Sequence, residues 1–267
     1  MKFKRNIAIA VLGIIGLAAG VGAATSLQKA VPTVGPIRWI RVSDALLSEK
    51  GLTEAFDMAQ MGQFTDHIED QRATATRKAP YLGELRVNVI ETTGNSVHLP
   101  NFPNDEFVDI IAGGLTLTAD DTKVEQTFYA GDRVMIPKGW SGTWRVHAGV
   151  FREIAITPSN YFDGSGQSQP APKGVAAFLI DPPKTAGIYV VHDGTYTLEA
   201  ENVSSARTLA LVQGTDEAIH ILHGNLSLKT GDESEIFKPG DIVVIPKGFR
   251  GESYVTAGYR AITARAK

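Results

Sequence analysis

Two acidic pairs are the residues of this chain best placed to do chemistry. Asp105-Glu106 is followed by Gly113, and Asp216-Glu217 by Gly224, both at an offset of 111 (217 − 106 and 224 − 113). Each Glu opens a stretch that alternates as a strand, which puts it on one face with the apolar residues two and four positions on. A carboxyl turned toward an apolar interior is desolvated, so its pKa rises and it suits general acid or base work. The structural alternative is an acid held by backbone donors or paired with Arg250 or Arg145.

The six histidines offer less. His220 and His223 are three apart on one strand, hence on opposite faces and unable to share an ion. His223 shares Glu217's face and lies at the strand's end, which makes it a candidate for the mouth of the cavity. His98 precedes the first acidic pair and reaches Glu106 if its loop folds over that mouth. His67, His147 and His192 read as surface or turn residues. With no cysteine in the chain, disulfides, thiolate metal sites and a cysteine nucleophile are excluded.

The elements that position these groups come from a second repeat. Ala130-Gly131-Asp132 leads through Arg133 to Ile136 into Pro137-Lys138-Gly139, and Pro239-Gly240-Asp241 leads through Ile242 to Ile245 into Pro246-Lys247-Gly248. Each copy is a turn, a short branched strand and a reversing turn, and the copies are 109 apart (240 − 131). Short strands at close spacing predict an all-β chain of two tandem antiparallel barrels of the jelly-roll kind, with a short helical N-terminal extension. The expected units are a tether and extension over 25–79, a first barrel over 80–157, a linker over 158–185 and a second barrel over 186–267. Thr92 to Asn95 reads as a turn, Ser43-Asp44 as the cap of a helix reaching Lys50, and Leu52 to Lys78 as an extension packed on the barrel, with an arm or lid as the alternative.

Composition is that of a globular protein, with 43% hydrophobic residues and a net charge of −3. Lys2, Lys4 and Arg5 precede an uncharged run from Ile7 to Ala24 that ends in small residues, the order of an export signal; an uncleaved anchor is the rival reading. The globular part is expected in the periplasm or outside the cell. Without residues 1–24 the charge is more negative, which argues against nucleic acid or an anionic membrane as partner.

The acidic pair, the glycine seven positions after its Glu, and Gly-Asp-x-Val-x-Ile-Pro-Lys-Gly-Trp/Phe-x-Gly resemble the cupin superfamily, closest to the subgroup of the ureidoglycine aminohydrolase cupin domain. The resemblance implies a bicupin. In metal-dependent cupins two histidines, a glutamate and a third histidine converge on one ion. Placed on this chain, that pattern falls on Leu211, Gln213, Glu217 and Gly251, and on Pro100, Phe102, Glu106 and Gly142. Three of four expected ligands are missing from each barrel, so no metal cofactor is assigned. The expected function is a bicupin with degenerate metal sites that binds a small organic ligand, with a second copy of the chain as a further partner. Glu217 and Glu106 are the catalytic candidates, and Gln213, Trp144, Ser253, Arg250, His98 and His223 the pocket candidates; Trp144 and Ser253 should share the inward face of Gly142 and Gly251. The alternative is a hydrolase or isomerase holding Mn, Fe or Zn through non-standard ligands such as Glu217 and His223.

Overall fold

The computed structural model describes residues 37–48, 51–52, 54–55, 65–69, 75–159 and 172–267. The expected export segment, the tether and most of the Ser/Gln-rich linker lie outside the described residues. Before the first barrel come β1 (Ile40–Val42), the single turn α1 (Asp44–Leu47), β2 (Glu54–Ala55) and β3 (His67–Ile68). Ser43 Oγ accepts from Leu46 N at 3.4 Å, as an N-cap does, but only four residues are helical. No described helix is long and apolar enough to cross a membrane.

The first barrel is built from β4 (Ala75–Leu82), β5 (Leu85–Leu99), β6 (Glu106–Ala112), β7 (Gly114–Ala119), β8 (Glu125–Tyr129), β9 (Arg133–Ile136) and β10 (Gly142–Pro158). A short strand, β11 (Phe178–Leu179), precedes the second barrel. That barrel consists of β12 (Gly187–Asp193), β13 (Tyr196–Val203), β14 (Arg207–Val212), β15 (Glu217–His223), β16 (Leu226–Thr230), β17 (Glu233–Phe237), β18 (Ile242–Ile245), β19 (Arg250–Val255) and β20 (Tyr259–Ala266). Every pairing is antiparallel, as the sequence predicts. The second barrel divides into two sheets, β1-β18-β15-β20-β13-β12 and β14-β19-β16-β17. In the first, β5 and β10 run unbroken through both layers. Thr92 to Asn95 is therefore strand rather than turn: Gly94 lies against the bulge that β10 makes between Val146 and Val150, so the pair bends without reversing.

Period-2 alternation sorts the side chains into three cores. Val108, Ile110, Val134 and Ile136 point into the first barrel, and Ile219, Ile221, Val243 and Ile245 into the second. The residues between them face outward and meet in a third core, where Phe107, Met135, Ile154 and Ile156 pack with Leu198, Ile242, Val244 and Ile262. The halves also exchange strands. β1, which precedes the first barrel in the chain, pairs with β18 of the second, while β11 pairs with β9 of the first. The extension packs on the first barrel, with β2 beside β4, β3 beside β5, and Ile68 and Ala75 filling its core.

Candidate functional site

Glu106 and Glu217 begin β6 and β15 on the inward face, and both are buried, at 8% and 7% exposure. Their surroundings differ. Glu217 is in register with Arg265 on β20, and the two side chains form an ion pair; Arg265 also reaches Glu199 on β13 at 3.3 Å. The partner is thus Arg265 rather than Arg250 or Arg145, both of which are exposed. Arg250 lies opposite the exposed Val212 and leaves the pocket set. In the first barrel Thr157 stands where Arg265 stands in the second, and the arginine comes instead from β5, opposite Thr157, as Arg86. The two barrels hold the same Arg/Thr cross-strand pair with its members exchanged.

The pocket candidates separate along the strands. Ser253 is buried on the inner face of β19 opposite Leu209, and Trp144 packs against the first barrel's core, so both point inward. Gln213 follows β14, bonded through its backbone to Phe249 and Gly248, with its Nε2 buried and without a hydrogen-bond partner. His98 is on the outer face of β5, because its neighbours Val97 and Leu99 point in. Its ring bridges Asp66 at 2.5 Å and Asp120 at 2.9 Å. Desolvation pulls its pKa down, but the two carboxylates outweigh this and the net shift is upward. His223 is at the far end of β15 from Glu217, six residues or about 20 Å away, with Nδ1 2.7 Å from Gly258 O. Neither histidine can join a glutamate around one ion.

The donor set does not fit a metal. By strand register Leu99 matches Leu211, since they oppose Gly142 and Gly251, and by backbone bonds Phe102 matches Gln213, so the first barrel's pattern falls on Leu99 rather than Pro100. Gly142 and Gly251 cannot be exchanged for a ligand without strain. A Cβ on Gly251 would collide with the Lys229 carbonyl and the Phe249 ring, and one on Gly142 with the Thr118 carbonyl and Trp140. Each barrel is left one carboxylate at the expected positions, and in the second that carboxylate already binds an arginine. Among the described residues no three metal-ligating side chains cluster.

The aspartates beside the two glutamates do something the sequence reading missed. Asp216 Oδ1 accepts from Lys247 N at 2.8 Å within its own barrel, while Oδ2 accepts from Glu84 N at 2.5 Å and Leu85 N at 3.2 Å in the other. Asp105 mirrors it: Oδ1 accepts from Lys138 N at 2.8 Å, and Oδ2 from Thr195 N and from Thr195 Oγ1, the latter at 2.8 Å. His192, no surface residue, contacts Asp105 at 3.0 Å where Tyr81 stands beside Asp216. Burial raises the Asp105 pKa, yet His192 and the backbone donors overcome it and hold the carboxyl well below its ordinary value. His220 is buried between the barrels, 2.8 Å from Asp109, its own counterpart at offset 111. That offset, and the paired turns Gly83-Glu84 and Gly194-Thr195, were the signals available in the sequence.

A sequence profile described as the EutQ-like cupin domain matches residues 89–153 and 208–261. No curated protein matches the chain. Among solved structures, a cupin 2 conserved barrel domain protein from Leptotrichia buccalis is similar with a TM-score of 0.52 at 10% identity, over 81% of this chain and 97% of that one. A protein of unknown function from Pseudomonas syringae pv. tomato gives 0.49 at 12% identity, over 70% and 85%. A variant of the salicylate 1,2-dioxygenase of Pseudoaminobacter salicylatoxidans gives 0.48 at 9%, over 68% and 71%. The ureidoglycine aminohydrolase subgroup finds no separate support in these matches. Two barrels with the motif glutamates, glycines and turns in register, together with the profile that spans both, make this chain a member of the cupin superfamily.

Proposed function

We propose that this chain is an exported bicupin that binds a small organic ligand in the mouth of its second barrel. One observation carries the reading: Ile188, Val190 and Leu209 face inward yet stay exposed, at 59%, 61% and 46%. Their orientation follows from register, since Ile188 and Val190 oppose Glu201 and Glu199, and Leu209 opposes Ser253. Inward apolar side chains left open to solvent, beside the buried amide of Gln213 and the Glu217, Arg265 and Glu199 group, make an apolar recess with a few polar anchors, the usual composition of a small-molecule site. Ile68 and Ala75 contribute to the first barrel's core from the extension, and β14 has no counterpart of β3 along its edge among the described residues. Export rests on the N-terminal sequence.

The test is a thermal-shift screen of the purified protein against small organic acids, sugars and ureides. A specific ligand at a hundred times its Kd contributes about 2.7 kcal/mol, roughly 5–10 °C for a protein of this size. Gln213→Leu should remove most of that gain. A screen without any shift, or a shift that survives both Gln213→Leu and Leu209→Asp, overturns the assignment. Near-stoichiometric Mn, Fe or Zn in protein purified without chelator would favour the metalloenzyme instead.

A further inference from the structure

The two barrels differ at one edge. Val97 of β5 is opposite Trp144 as Leu209 of β14 is opposite Ser253, so Val97 and Leu209 hold the same place. Val97 is 5% exposed and Leu209 46%. The cover over Val97 is β3 of the extension: Ile68 is its cross-strand neighbour on the inward face, and Ile68, Val97 and Trp144 form one row on the first barrel's core. Among the described residues β14 has no such neighbour.

Two paired residues, with Glu69 N donating to Ser96 O at 2.9 Å, give β3 little hold of its own. A further tie lies on the outer face. His98 Nδ1 is 2.5 Å from Asp66 Oδ1, one residue before β3, and its Nε2 is 2.9 Å from Asp120 Oδ2, one residue after β7. An ionised carboxyl only accepts, and a neutral imidazole has one N–H to give. With both aspartates ionised, the two bonds are made together only by the imidazolium. Around this group stand His67, opposite His98 on β3; Glu69; Lys123, 3.7 Å from Asp120; Arg145 on β10, opposite Ser96; and Glu125 on β8, in one row with His98 through Thr143 and Thr118. Of these side-chain types only histidine ordinarily changes charge between pH 5 and 8, which makes His67 the rival.

We propose that β3 is a proton-dependent strap: protonated His98 ties Asp66 to Asp120 and holds the strand across the first barrel's edge, and loss of that proton frees β3 and opens the edge as it is open at Leu209. The strap is independent of any ligand in the second barrel. Its direction follows from the bonds. Burial pulls the His98 pKa down, but the two carboxylates outweigh it and the net shift is upward. The tie is therefore complete below the unfolded value near 6.5 and is lost as the pH rises through the folded one. Asp66 is 60% exposed, so solvent screens the tie and the opening is a local shift in population.

The chain has no cysteine, so a single introduced thiol reports on the edge. Val97→Cys, close in volume, places one beneath Ile68, and Ala75→Cys places one in the same core on β4 as a control. Ile68→Cys is the second reporter if Val97→Cys does not fold. Labelling of the whole protein by a methanethiosulfonate is followed from about pH 5.5 to about pH 9, each rate divided by that of free cysteine at the same pH. The normalised rate of Val97→Cys should rise roughly threefold above pH 6.5, while that of Ala75→Cys stays flat. Adding His98→Gln should make the rate high at every pH. Adding His98→Arg, which can donate to both carboxylates and keeps its charge, should hold it low throughout, and His67→Gln should leave the rise in place. A flat profile, an equal rise in Ala75→Cys, a rise that survives His98→Arg, or one that His67→Gln removes overturns the proposal.

Discussion

At the scale of single residues, the two barrels answer one problem in two ways. The inward glutamate that begins β15 is neutralised by Arg265 from β20, and the matching Arg/Thr pair of the first barrel carries its arginine on β5 instead, as Arg86. Arg265→Ala should therefore leave Glu217 buried without its partner. We expect a loss of about 2–3 kcal/mol, below the usual range for a broken buried pair because Arg265 is itself 42% exposed. Urea denaturation at pH 7 measures it, and a loss under 0.5 kcal/mol would mean that Glu217 is solvated rather than paired. The glycines after the Pro-Lys-Gly turns show the same logic from the opposite side. The sequence identified Gly142 and Gly251 as absent ligands, and the structure adds the cause: the neighbouring strand's carbonyl and an aromatic ring occupy the space a side chain would need.

At the scale of elements, the acidic pair has divided its labour. Its Glu faces a barrel interior, and its Asp bonds the turn of the opposite barrel. The split was not legible as chemistry, since alternation says only that adjacent residues face opposite ways, not that the outward face meets a second copy of the same unit. Hydrophobic period and turn residues did expose β6 and β15, and β9 and β18 between their Gly-Asp and Pro-Lys-Gly turns, where burial on both faces fills the strands with apolar residues. They failed at Thr92 to Asn95, where four polar and small residues looked like a turn but pass a bulge, and at β4, whose start at Ala75 depends on partners rather than on its own pattern. The Asp role makes a pH prediction. The folded pKa of Asp105 is depressed below its unfolded value near 4, so its contribution is complete above about pH 4 and is lost as the pH falls through the folded value. Asp105→Asn should cost about 2–4 kcal/mol at pH 7, and the gap from the parent should narrow below pH 4. A gap that stays constant in denaturation curves from pH 3 to pH 7 would remove the ionised clasp.

At the scale of the molecule, the halves are distinct in sequence but not in stability. The core between them is as buried as either interior, and each half carries a strand that belongs to the other's sheet. A fragment covering residues 172–267 lacks β1, and with it Trp39, whose ring packs edge-on against Phe237 and Phe249 at 6.4 and 5.9 Å. We expect that fragment to be unfolded or aggregated by circular dichroism and gel filtration, and the intact protein to melt in one calorimetric transition. A folded, monomeric fragment would show the exchange to be dispensable.

The pairing of β1 with β18 also sets a clock. Ile40 waits for Val244, 204 residues downstream (244 − 40), and a chain made at 5–20 residues per second needs roughly 10–40 s to supply it. For that interval the edge that β1 will cover does not exist, and Trp39 has no rings to pack against. The first half of the chain can form hairpins as it emerges, but β1 stays unpaired until the last turn-strand-turn motif is made, which leaves it open to chaperones, and to wrong partners, longer than any other described strand.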